Sequence, residues 1–386
     1  MDDLRIGVIG AGGRGGLAGR AHCPGSGSRI VACCDIEQWA LTRCREWYGE
    51  ELFITNDYRE LLSQDIDAVF VCTPDFLHEE HAVAALEAGK AVYLEKPMAI
   101  TVEGCDRILR ASSENNAALY LGHNMRHMPF VLKMKELIDS NAIGEVKAAW
   151  CRHFVGHGGD FYFKDWHADR RRSTGLLLQK AAHDIDVIHW LAGGYGRLVN
   201  ALGSLSVYGN ITHRHPESER GNAGIDLQHW PPASQTGMNP VVDVEDISML
   251  NMELNNGVQA CYQQCHFTPD YWRNYTFIGT KGRLENFGDG EDGTHIKLWN
   301  KRVMGYNADA DETFPVLTET GDHGGADARI VREFIGFVTG QQKASTSPIA
   351  ARYSVAVGCA ATHSLRNGGI PVTVPQLDDE LAKCFP

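Results

Sequence analysis

Several features that would place the chain in other classes of protein are missing from the sequence. No run of about 18 apolar residues is present, so we expect no membrane-spanning helix. The start, Met1-Asp2-Asp3-Leu4, has neither the basic region nor the apolar core of a signal peptide, and we expect a cytoplasmic protein. Basic residues are the minority: 36 Lys and Arg stand against 49 Asp and Glu, and the net charge of -13 disfavours nucleic acid and anionic membranes as partners.

A disulfide framework and a metal site are not expected either. The 11 cysteines are spread over 386 residues, and several lie inside apolar runs, as reduced and buried thiols do. Groups that could ligate a metal occur at His213 and His215, at Cys261, Cys265 and His266, and at His153 and His157. None has the closed spacing of a zinc site, so we predict no metal.

The first positive signal is a dinucleotide fingerprint. A predicted strand, Arg5 to Ile9, runs into a turn that contains Gly10, Gly12 and Gly15, spaced as G-x-G-x-x-G. In this motif the glycines make a tight turn, let a pyrophosphate approach the backbone and let the next helix pack closely. We therefore predict that the turn binds a dinucleotide.

The acidic residue that accompanies this fingerprint is found at the end of the next predicted strand. Asp35 lies 20 positions beyond Gly15 and follows the apolar segment Arg29 to Cys34. A carboxylate there accepts hydrogen bonds from both ribose hydroxyls and repels a 2'-phosphate. Ile36 follows it instead of an arginine, which favours NAD over NADP.

Strands and helices alternate up to about residue 124, as in a doubly wound α/β domain. The predicted helices are an irregular one after the fingerprint, then Gln38 to Tyr48, Tyr58 to Leu62, Leu77 to Ala88 and Val102 to Ser113. Further strands are predicted at Leu52 to Thr55, Asp67 to Cys72, Ala91 to Leu94 and Ala118 to Gly122. We predict a Rossmann domain over residues 1–124 and a second domain over residues 125–386.

The segment Glu95-Lys96-Pro97 follows a predicted strand and so lies at the carboxyl end of the sheet, where such sheets bind ligands. Pro97 has no backbone donor, ends the strand and permits a cis bond. A lysine at this edge can bind a substrate hydroxyl and lower the pKa of that hydroxyl. An ordinary surface pair of Glu95 and Lys96 is the alternative for the segment in isolation.

The second half of the chain is rich in predicted strands. They are Glu145 to Val155, Arg197 to Tyr208, Val244 to Leu254, Val258 to Phe267, Tyr271 to Ile278, Arg283 to Asn286 and Ile296 to Trp299, followed by helices at Asp327 to Thr339 and Ser347 to Arg366. Apolar and polar residues alternate from Val258 to Gln263, which is typical of an antiparallel sheet with one solvated face. The segment 210–242 is too long for a plain connection and suggests a lid or an oligomer arm.

One predicted helix of the second half, Leu176 to Leu191, carries both an apolar face and a polar stripe. The apolar face has residues 178, 181, 185, 188 and 192, and the polar stripe has Gln179, His183, Asp186 and Trp190. His183 is thus a candidate functional group. A helix histidine whose ring bonds to a backbone carbonyl is the alternative.

Taken together, these motifs resemble the Gfo/Idh/MocA family, the glucose-fructose oxidoreductase and inositol dehydrogenase group, over nearly the whole chain. The resemblance is carried by Gly10-x-Gly12-x-x-Gly15, Asp35, Thr73-Pro74 with His78, Glu95-Lys96-Pro97, His183-Asp184-x-Asp186 before Trp190-Leu191, and Ile278 to Glu285. It implies a Rossmann domain followed by an α/β domain with a large, mostly antiparallel open sheet that often mediates homodimers or homotetramers. It also implies a carbohydrate, cyclitol or glycoside substrate.

The resemblance implies roles for individual residues. Lys96 matches the catalytic lysine, and His183 matches the histidine that serves as base or proton relay. Glu95 would contact the nicotinamide-side ribose or position Lys96. The other cofactor-binding residues implied are Gly10, Gly12, Gly13, Arg14, Gly15, Asp35, Thr73, Pro74, His78 and Asn124. The substrate-binding residues implied are Arg126, His153, Trp166, Gln179 and Asp184.

One position departs from the family pattern. Inositol dehydrogenases usually carry an aspartate four residues before the histidine, and here that position is Gln179. A glutamine cannot take a proton or raise the pKa of His183 as a carboxylate would, so inositol specificity does not follow. The aromatic segment Phe161 to Trp166 favours a glycoside or pyranose stacked on a ring, with aromatic packing between domains as the alternative.

Three functions are therefore considered. The first is an NAD-dependent sugar or glycoside dehydrogenase, which the joint presence of the fingerprint, Asp35, Lys96 and His183 favours. The second is a glycosidase that uses tightly held NAD to oxidise, eliminate and re-reduce. The third is a ligand sensor without turnover, against which the retention of both Lys96 and His183 argues.

Overall fold

The computed structural model describes residues 3–219, 224–317 and 321–385. Its strands are β1 (Leu4–Ile9), β2 (Ser28–Cys34), β3 (Phe53–Thr55), β4 (Ala68–Val71), β5 (Ala91–Leu94), β6 (Leu119–Leu121), β7 (Val146–Phe154), β8 (Gly196–Ser204), β9 (Ile247–Leu254), β10 (Gln259–Cys265), β11 (Trp272–Gly279), β12 (Arg283–Phe287), β13 (His295–Trp299), β14 (Glu312–Pro315) and β15 (Val372–Thr373). Its α-helices are α1 (Gln38–Tyr48), α2 (Tyr58–Leu62), α3 (His78–Glu87), α4 (Val102–Glu114), α5 (Pro129–Asp139), α6 (Gly158–Phe161), α7 (Arg170–Ser173), α8 (Leu176–Gln179), α9 (Ala182–Ala192), α10 (Ala326–Val338), α11 (Pro348–Arg366) and α12 (Asp379–Lys383).

The chain divides into two compact units. The first contains the chain up to His127, the segment Gly325–Arg352 and the segment from Gln376 onward, and the second contains Met128–Gly324 and Tyr353–Pro375. Two segments of the predicted region 125–386 thus join the first unit. The cause is apolar packing, because Ile330, Val331 and Phe334 of α10 are buried in the same core as the first sheet.

The sheet of the first unit confirms the predicted Rossmann topology. Six of the described strands form a sheet in the order β3-β2-β1-β4-β5-β6, and its neighbouring strands all pair in parallel. The strand order reverses between β1 and β4, so their carboxyl ends form the crevice at which such sheets bind ligands. After β1 the chain enters an irregular helix, Gly13–Ala21, of the 3-10 type.

The sheet of the second unit confirms the predicted open, mostly antiparallel architecture. Nine of the described strands form it in the order β14-β13-β12-β11-β7-β10-β9-β8-β15. Within it β7 and β10 pair in parallel, and the other neighbours pair antiparallel. Buried and exposed residues alternate along β10, as the sequence pattern predicts, and α9 packs on β7.

The predicted single helix from Leu176 to Leu191 is wrong, because the structure divides it into α8 and α9. The carbonyl of Leu176 accepts hydrogen bonds from both Lys180 N and Ala181 N, each at 3.1 Å, and the second comes from five residues ahead. This wider turn interrupts the regular spacing of four residues. Gln179 and His183 therefore do not occupy successive turns of one regular helix.

The predicted strand from Arg197 to Tyr208 is too long, because β8 ends at Ser204. The carboxylate of Asp246 accepts hydrogen bonds from the backbone N–H groups of Ser206, Val207 and Tyr208 at 2.8, 2.7 and 2.9 Å. These donors are therefore unavailable to a neighbouring strand. The short strands β14 and β15 were not predicted at all.

Part of the long segment 210–242 is packed into a small core of the second unit. Ile211 and Met238 lie in one apolar cluster with Phe163 and Tyr208, whose rings stack with centroids 4.5 Å apart. Residues 220–223 of the segment lie outside the described part of the chain. In that part of the chain, none of the helices combines the length and the apolar character needed to cross a bilayer.

The fingerprint turn gives a direct test of the fold. A Cβ at Gly15 would stand 2.0 Å from the carbonyl oxygen of Gly10, whereas a Cβ at Gly16 would meet no atom within 4 Å. We expect Gly15→Ala to lower the free energy of unfolding by about 2 kcal/mol, because backbone atoms must move. Gly16→Ala should change it by less than about 0.5 kcal/mol. Equal losses in urea denaturation would contradict the close approach.

Candidate active site

The fingerprint turn and Asp35 form the dinucleotide end of the site in the first unit. Gly10 has φ of +84°, and a Cβ there would stand 2.8 Å from the backbone of Thr73, so only glycine fits. The Asp35 carboxylate accepts hydrogen bonds from Gly12 N at 2.7 Å and from Glu37 N at 2.9 Å. No atom lies within 4 Å of a Cβ built at Gly13, so the turn has room for a pyrophosphate. The arrangement fits NAD.

Arg14 connects this turn to two buried carboxylates. Its Nε donates to Glu95 Oε1 at 2.7 Å, and its Nη1 donates to Asp327 Oδ2 at 2.5 Å. Asn124 Nδ2 donates to Asp327 Oδ1 at 3.0 Å. Four polar side chains of the first unit thus form one network beside the crevice. Asp327, in the first turn of α10, was missed from the sequence because it lies far along the chain from the fingerprint.

The Glu95 carboxylate is hydrogen-bonded to the backbone N–H of Lys96. It is 5% exposed, and its Oε2 accepts a hydrogen bond from Lys96 N at 3.0 Å while Arg14 holds Oε1. Both carboxylate oxygens are therefore engaged by the protein, which favours the positioning alternative over ribose contact. The bond between Lys96 and Pro97 is cis.

His78 ties the loops after β4 and β5 together. Its Nδ1 lies 2.7 Å from Pro97 O and its Nε2 lies 2.8 Å from Thr73 O, and the side chain is buried. Each ring nitrogen thus faces a backbone carbonyl oxygen of one of these two loops. We infer that His78 positions the loop of Lys96, whereas the resemblance implied contact with the cofactor.

In the second unit, the first turn of α9 carries His183 and Asp184. His183 is partly exposed, and Asp184 is fully buried. Lys96 and His183 belong to different compact units, so neither unit by itself contains the implied pair.

Asp184 is the centre of a buried polar network on the helix-facing side of the sheet. Arg273 Nε lies 2.8 Å from Asp184 Oδ1, His153 Nδ1 lies 3.2 Å from Oδ2, and the Tyr275 hydroxyl donates to Oδ1. Burial alone would raise the pKa of Asp184, but Arg273 and then His153 hold it below its ordinary value. The carboxylate is therefore charged at neutral pH and enclosed by protein groups, so it stabilises the helix position.

His153 is part of the same network and is neutral at physiological pH. Burial, followed by the nearby Arg273, lowers its pKa to about 3. Its Nδ1 lies 3.0 Å from the Tyr262 hydroxyl. A histidine with this pKa can take part in hydrogen bonding but is a poor proton acceptor.

A second lysine, Lys180, lies beside this network and was not singled out from the sequence. It follows α8 directly, is half-buried, and its Nζ lies 5.4 Å from the centre of the Tyr162 ring. Burial, followed by the charge of Arg273, lowers the pKa of Lys180 to about 8. The sequence held one signal for it, a charged residue inside the mostly apolar segment 176–182.

The remaining predicted substrate residues have different environments. Arg126 is buried in the first unit, where its Nη1 donates to Ser345 O at 2.8 Å. Trp166 stacks on His167 with ring centroids 3.8 Å apart, and Gln179 is buried at the end of α8. In the aromatic segment, Phe163 is buried by packing within the second unit.

The described residues contain no cluster of three or more His, Cys, Asp or Glu side chains that could hold a metal ion. Within this part of the chain none of the eleven cysteines forms a disulfide bond, and six of them are buried.

Comparison with proteins of known structure shows what the fold resembles. A levoglucosan dehydrogenase in complex with NADH and levoglucosan superposes with a TM-score of 0.76 at 21% identity, covering 97% of this chain and 100% of that one. Scyllo-inositol dehydrogenase from Lactobacillus casei superposes with a TM-score of 0.69 at 19% identity, covering 97% and 98%. At these identities the similarity establishes the fold.

Comparison of sequences gives relatives with higher identity over shorter stretches. An inositol 2-dehydrogenase/D-chiro-inositol 3-dehydrogenase of Halalkalibacterium halodurans is 34% identical over 195 residues, 49% of this chain and 52% of that protein. A 2,7-anhydro-N-acetylneuraminate hydratase of Mediterraneibacter gnavus is 31% identical over 219 residues, 55% of this chain and 54% of that protein. The chain thus matches about half the length of these two relatives.

Family models match the chain almost from end to end. Residues 4–123 match the NAD-binding Rossmann fold of an oxidoreductase family, GFO_IDH_MocA, and residues 135–374 match the C-terminal α/β domain of the same family. The two matches agree with the parallel sheet, the open antiparallel sheet and the dinucleotide turn described above. The chain therefore belongs to the Gfo/Idh/MocA family of NAD-binding oxidoreductases.

Proposed function

We propose that this protein is an NAD-dependent dehydrogenase that oxidises a hydroxyl group of a sugar, cyclitol or glycoside. The observation that carries the proposal is Lys96, held at the carboxyl end of β5 by the Arg14 and Glu95 network, in a unit that binds NAD. The inositol dehydrogenase among the sequence relatives supports a polyol-type substrate. The levoglucosan dehydrogenase of the same fold is consistent with a pyranose-type substrate.

The chemistry divides between two side chains of this chain. NAD supplies the acceptor for the hydride that leaves the substrate carbon. Lys96, as an ammonium, would donate a hydrogen bond to the reacting hydroxyl and stabilise the developing alkoxide. His183 would take the hydroxyl proton, the role that histidine side chains most often have in general acid–base catalysis. The neighbouring Asp184 forms an ion pair with Arg273. We therefore assign to Asp184 the role of holding α9 in place.

The ribose end of the site supports NAD over NADP. Asp35 is placed at the mouth of the turn by Gly12 N, and the exposed Ile36 follows it in place of a basic residue. A carboxylate fixed in this way accepts from ribose hydroxyls and repels a 2'-phosphate.

We further propose that the protein forms a homodimer or homotetramer through the solvent-facing side of the second sheet. Trp150, Leu202 and Met249 are all at least 49% exposed, and Leu202 and Met249 are paired across β8 and β9. Large apolar side chains grouped on one exposed face favour burial against a partner.

Lys96→Met should reduce kcat/KM for the substrate about 1,000-fold and leave the Kd for NAD within about twofold, because the methionine keeps the length of the side chain but has no charge. The substrate is found by following reduced nicotinamide with a panel of monosaccharides, cyclitols, anhydrosugars and glycosides. Lys343→Met, at an exposed position, is the matched control and should behave as the parent. Oxidation at the parent rate by Lys96→Met would refute the assignment.

Asp35→Ala should raise the Kd for NAD by about tenfold and leave the Kd for NADP unchanged or lower, because the variant loses hydrogen bonds to the ribose together with the repulsion of a 2'-phosphate. Binding is measured by calorimetry with both dinucleotides. Glu46→Ala on the exposed side of α1 controls for the loss of one acidic charge. An unchanged ratio of the two constants would argue against the ribose role.

Met249→Glu should shift the molar mass measured by light scattering from dimer or tetramer to monomer, because it places a charge on the proposed interface. Met304→Glu adds the same charge at a fully exposed side chain outside the sheet and should leave the mass unchanged. A parent protein that is monomeric at all concentrations would rule out the assembly.

A further inference from the structure

The second unit contains an ammonium group that the proposed reaction does not use. Lys180 makes no hydrogen bond or ion pair through Nζ with any residue in the described ranges, although its side chain is half-buried. A lysine ammonium withdrawn from water normally has a carboxylate or several acceptors beside it. The Nζ of Lys180 instead lies over the ring of Tyr162, 5.4 Å from the ring centroid.

A second unsatisfied polar group contacts the same aromatic ring. His266 is fully buried, and neither of its ring nitrogens has a hydrogen-bond partner among the described residues. The Tyr162 and His266 rings meet edge to face with centroids 5.3 Å apart, and the His167 ring lies 5.2 Å from Tyr162. The described residues thus group an ammonium and an imidazole around one tyrosine without satisfying either of them.

The other charged groups near Lys180 contact one another. Arg273 pairs with Asp184 at 2.8 Å and lies 3.5 Å from Asp289. Both carboxylates thus contact Arg273, and the ammonium of Lys180 makes no ion pair with the described residues, so it can meet one anionic group of a ligand. One ammonium matches a singly charged carboxylate better than a doubly charged phosphate, for which proteins typically use several cationic groups.

We propose that Lys180 binds the carboxylate of an acidic sugar, with Tyr162 and His266 beside it, so that the substrates of this enzyme are sugar acids. The proposal rests on the proposed dehydrogenase function and names its substrate class. Lys96 acts on the hydroxyl that is oxidised, whereas Lys180 binds a group that does not react. No proton or electron is transferred at Lys180.

The test compares matched sugars that differ in one carboxylate. Glucose is compared with glucuronate and galactose with galacturonate, as initial rates of NAD reduction at constant ionic strength. The parent should show a kcat/KM at least about 30-fold higher for the acid of each pair. Lys180→Met should remove that preference, Lys180→Arg should retain most of it, and Lys147→Met, on an exposed lysine of β7, should leave it intact.

The preference should also depend on pH in one direction. Because an anion binds the protonated lysine and the pKa of Lys180 in the free protein is about 8, the acid-to-neutral ratio of kcat/KM should fall above that pH. Using the ratio cancels the titration of the groups that act on both sugars. Asp289, whose pKa burial raises to about 6, adds a negative charge nearby above that value and lowers the ratio slightly. The ratio in Lys180→Met should be flat above pH 8.

A binding measurement separates failure of this proposal from failure of the dehydrogenase function. Thermal unfolding of the NAD-saturated protein is followed with glucuronate, glucose, glucose 6-phosphate or sodium chloride. Stabilisation by glucuronate that Lys180→Met abolishes supports the subsite even if no sugar reduces NAD. Equal rates and equal stabilisation with acids and neutral sugars would overturn it, and a Lys180-dependent preference for the phosphate would overturn the carboxylate class.

Discussion

The buried carboxylate of Asp184 is the constraint on which the second unit depends. A charge with no exposure to water is strongly unfavourable unless other groups compensate it, and here Arg273 and Tyr275 do so from β11 while His153 does so from β7. Removing one partner of such a pair typically costs about 3–5 kcal/mol. The network therefore joins α9 to the sheet at a defined position. Because His183 precedes Asp184 on α9, this attachment also fixes the position of His183 within the unit.

The first unit uses the same principle at its ligand-binding edge. Glu95 and Asp327 are buried carboxylates, and the one guanidinium of Arg14 forms an ion pair with each of them. The ring nitrogens of His78 lie 2.7 and 2.8 Å from carbonyl oxygens of the two loops at this edge. A lysine on such a supported loop loses less freedom when it meets a substrate, so more of the binding energy is available for the reaction.

The two lysines of interest differ in what surrounds them. Lys96 follows a strand at the dinucleotide crevice and is held through its own backbone N–H. Lys180 lies in the second unit, where its ammonium makes no ion pair with any of the described residues. In the proposed reaction Lys96 stabilises the hydroxyl that is oxidised, and Lys180 binds a carboxylate that does not react. Binding energy from a remote group can raise the rate of reaction when it helps to orient the reacting carbon.

Much of the first unit follows from the sequence, because its signals are local. The fingerprint glycines, Asp35 and the strand before Lys96 each lie within a short segment, and α1 begins and ends where the pattern predicts. The antiparallel character of the second sheet also follows from the sequence. Apolar and polar residues alternate along β10 because one face of the strand is buried and the other faces solvent.

By itself, the sequence determined the dinucleotide turn, the class of each sheet and the candidate lysine and histidine, because those depend on neighbours along the chain. Only the tertiary structure decided which distant groups meet. Asp327 and Arg14 form an ion pair although they lie 313 positions apart in the sequence. The burial of Asp184 likewise depends on strands that lie far from it in the sequence. The break before α9 and the isolation of Lys180 also arise from packing. Such features depend on long-range contacts, which no local pattern of residues specifies.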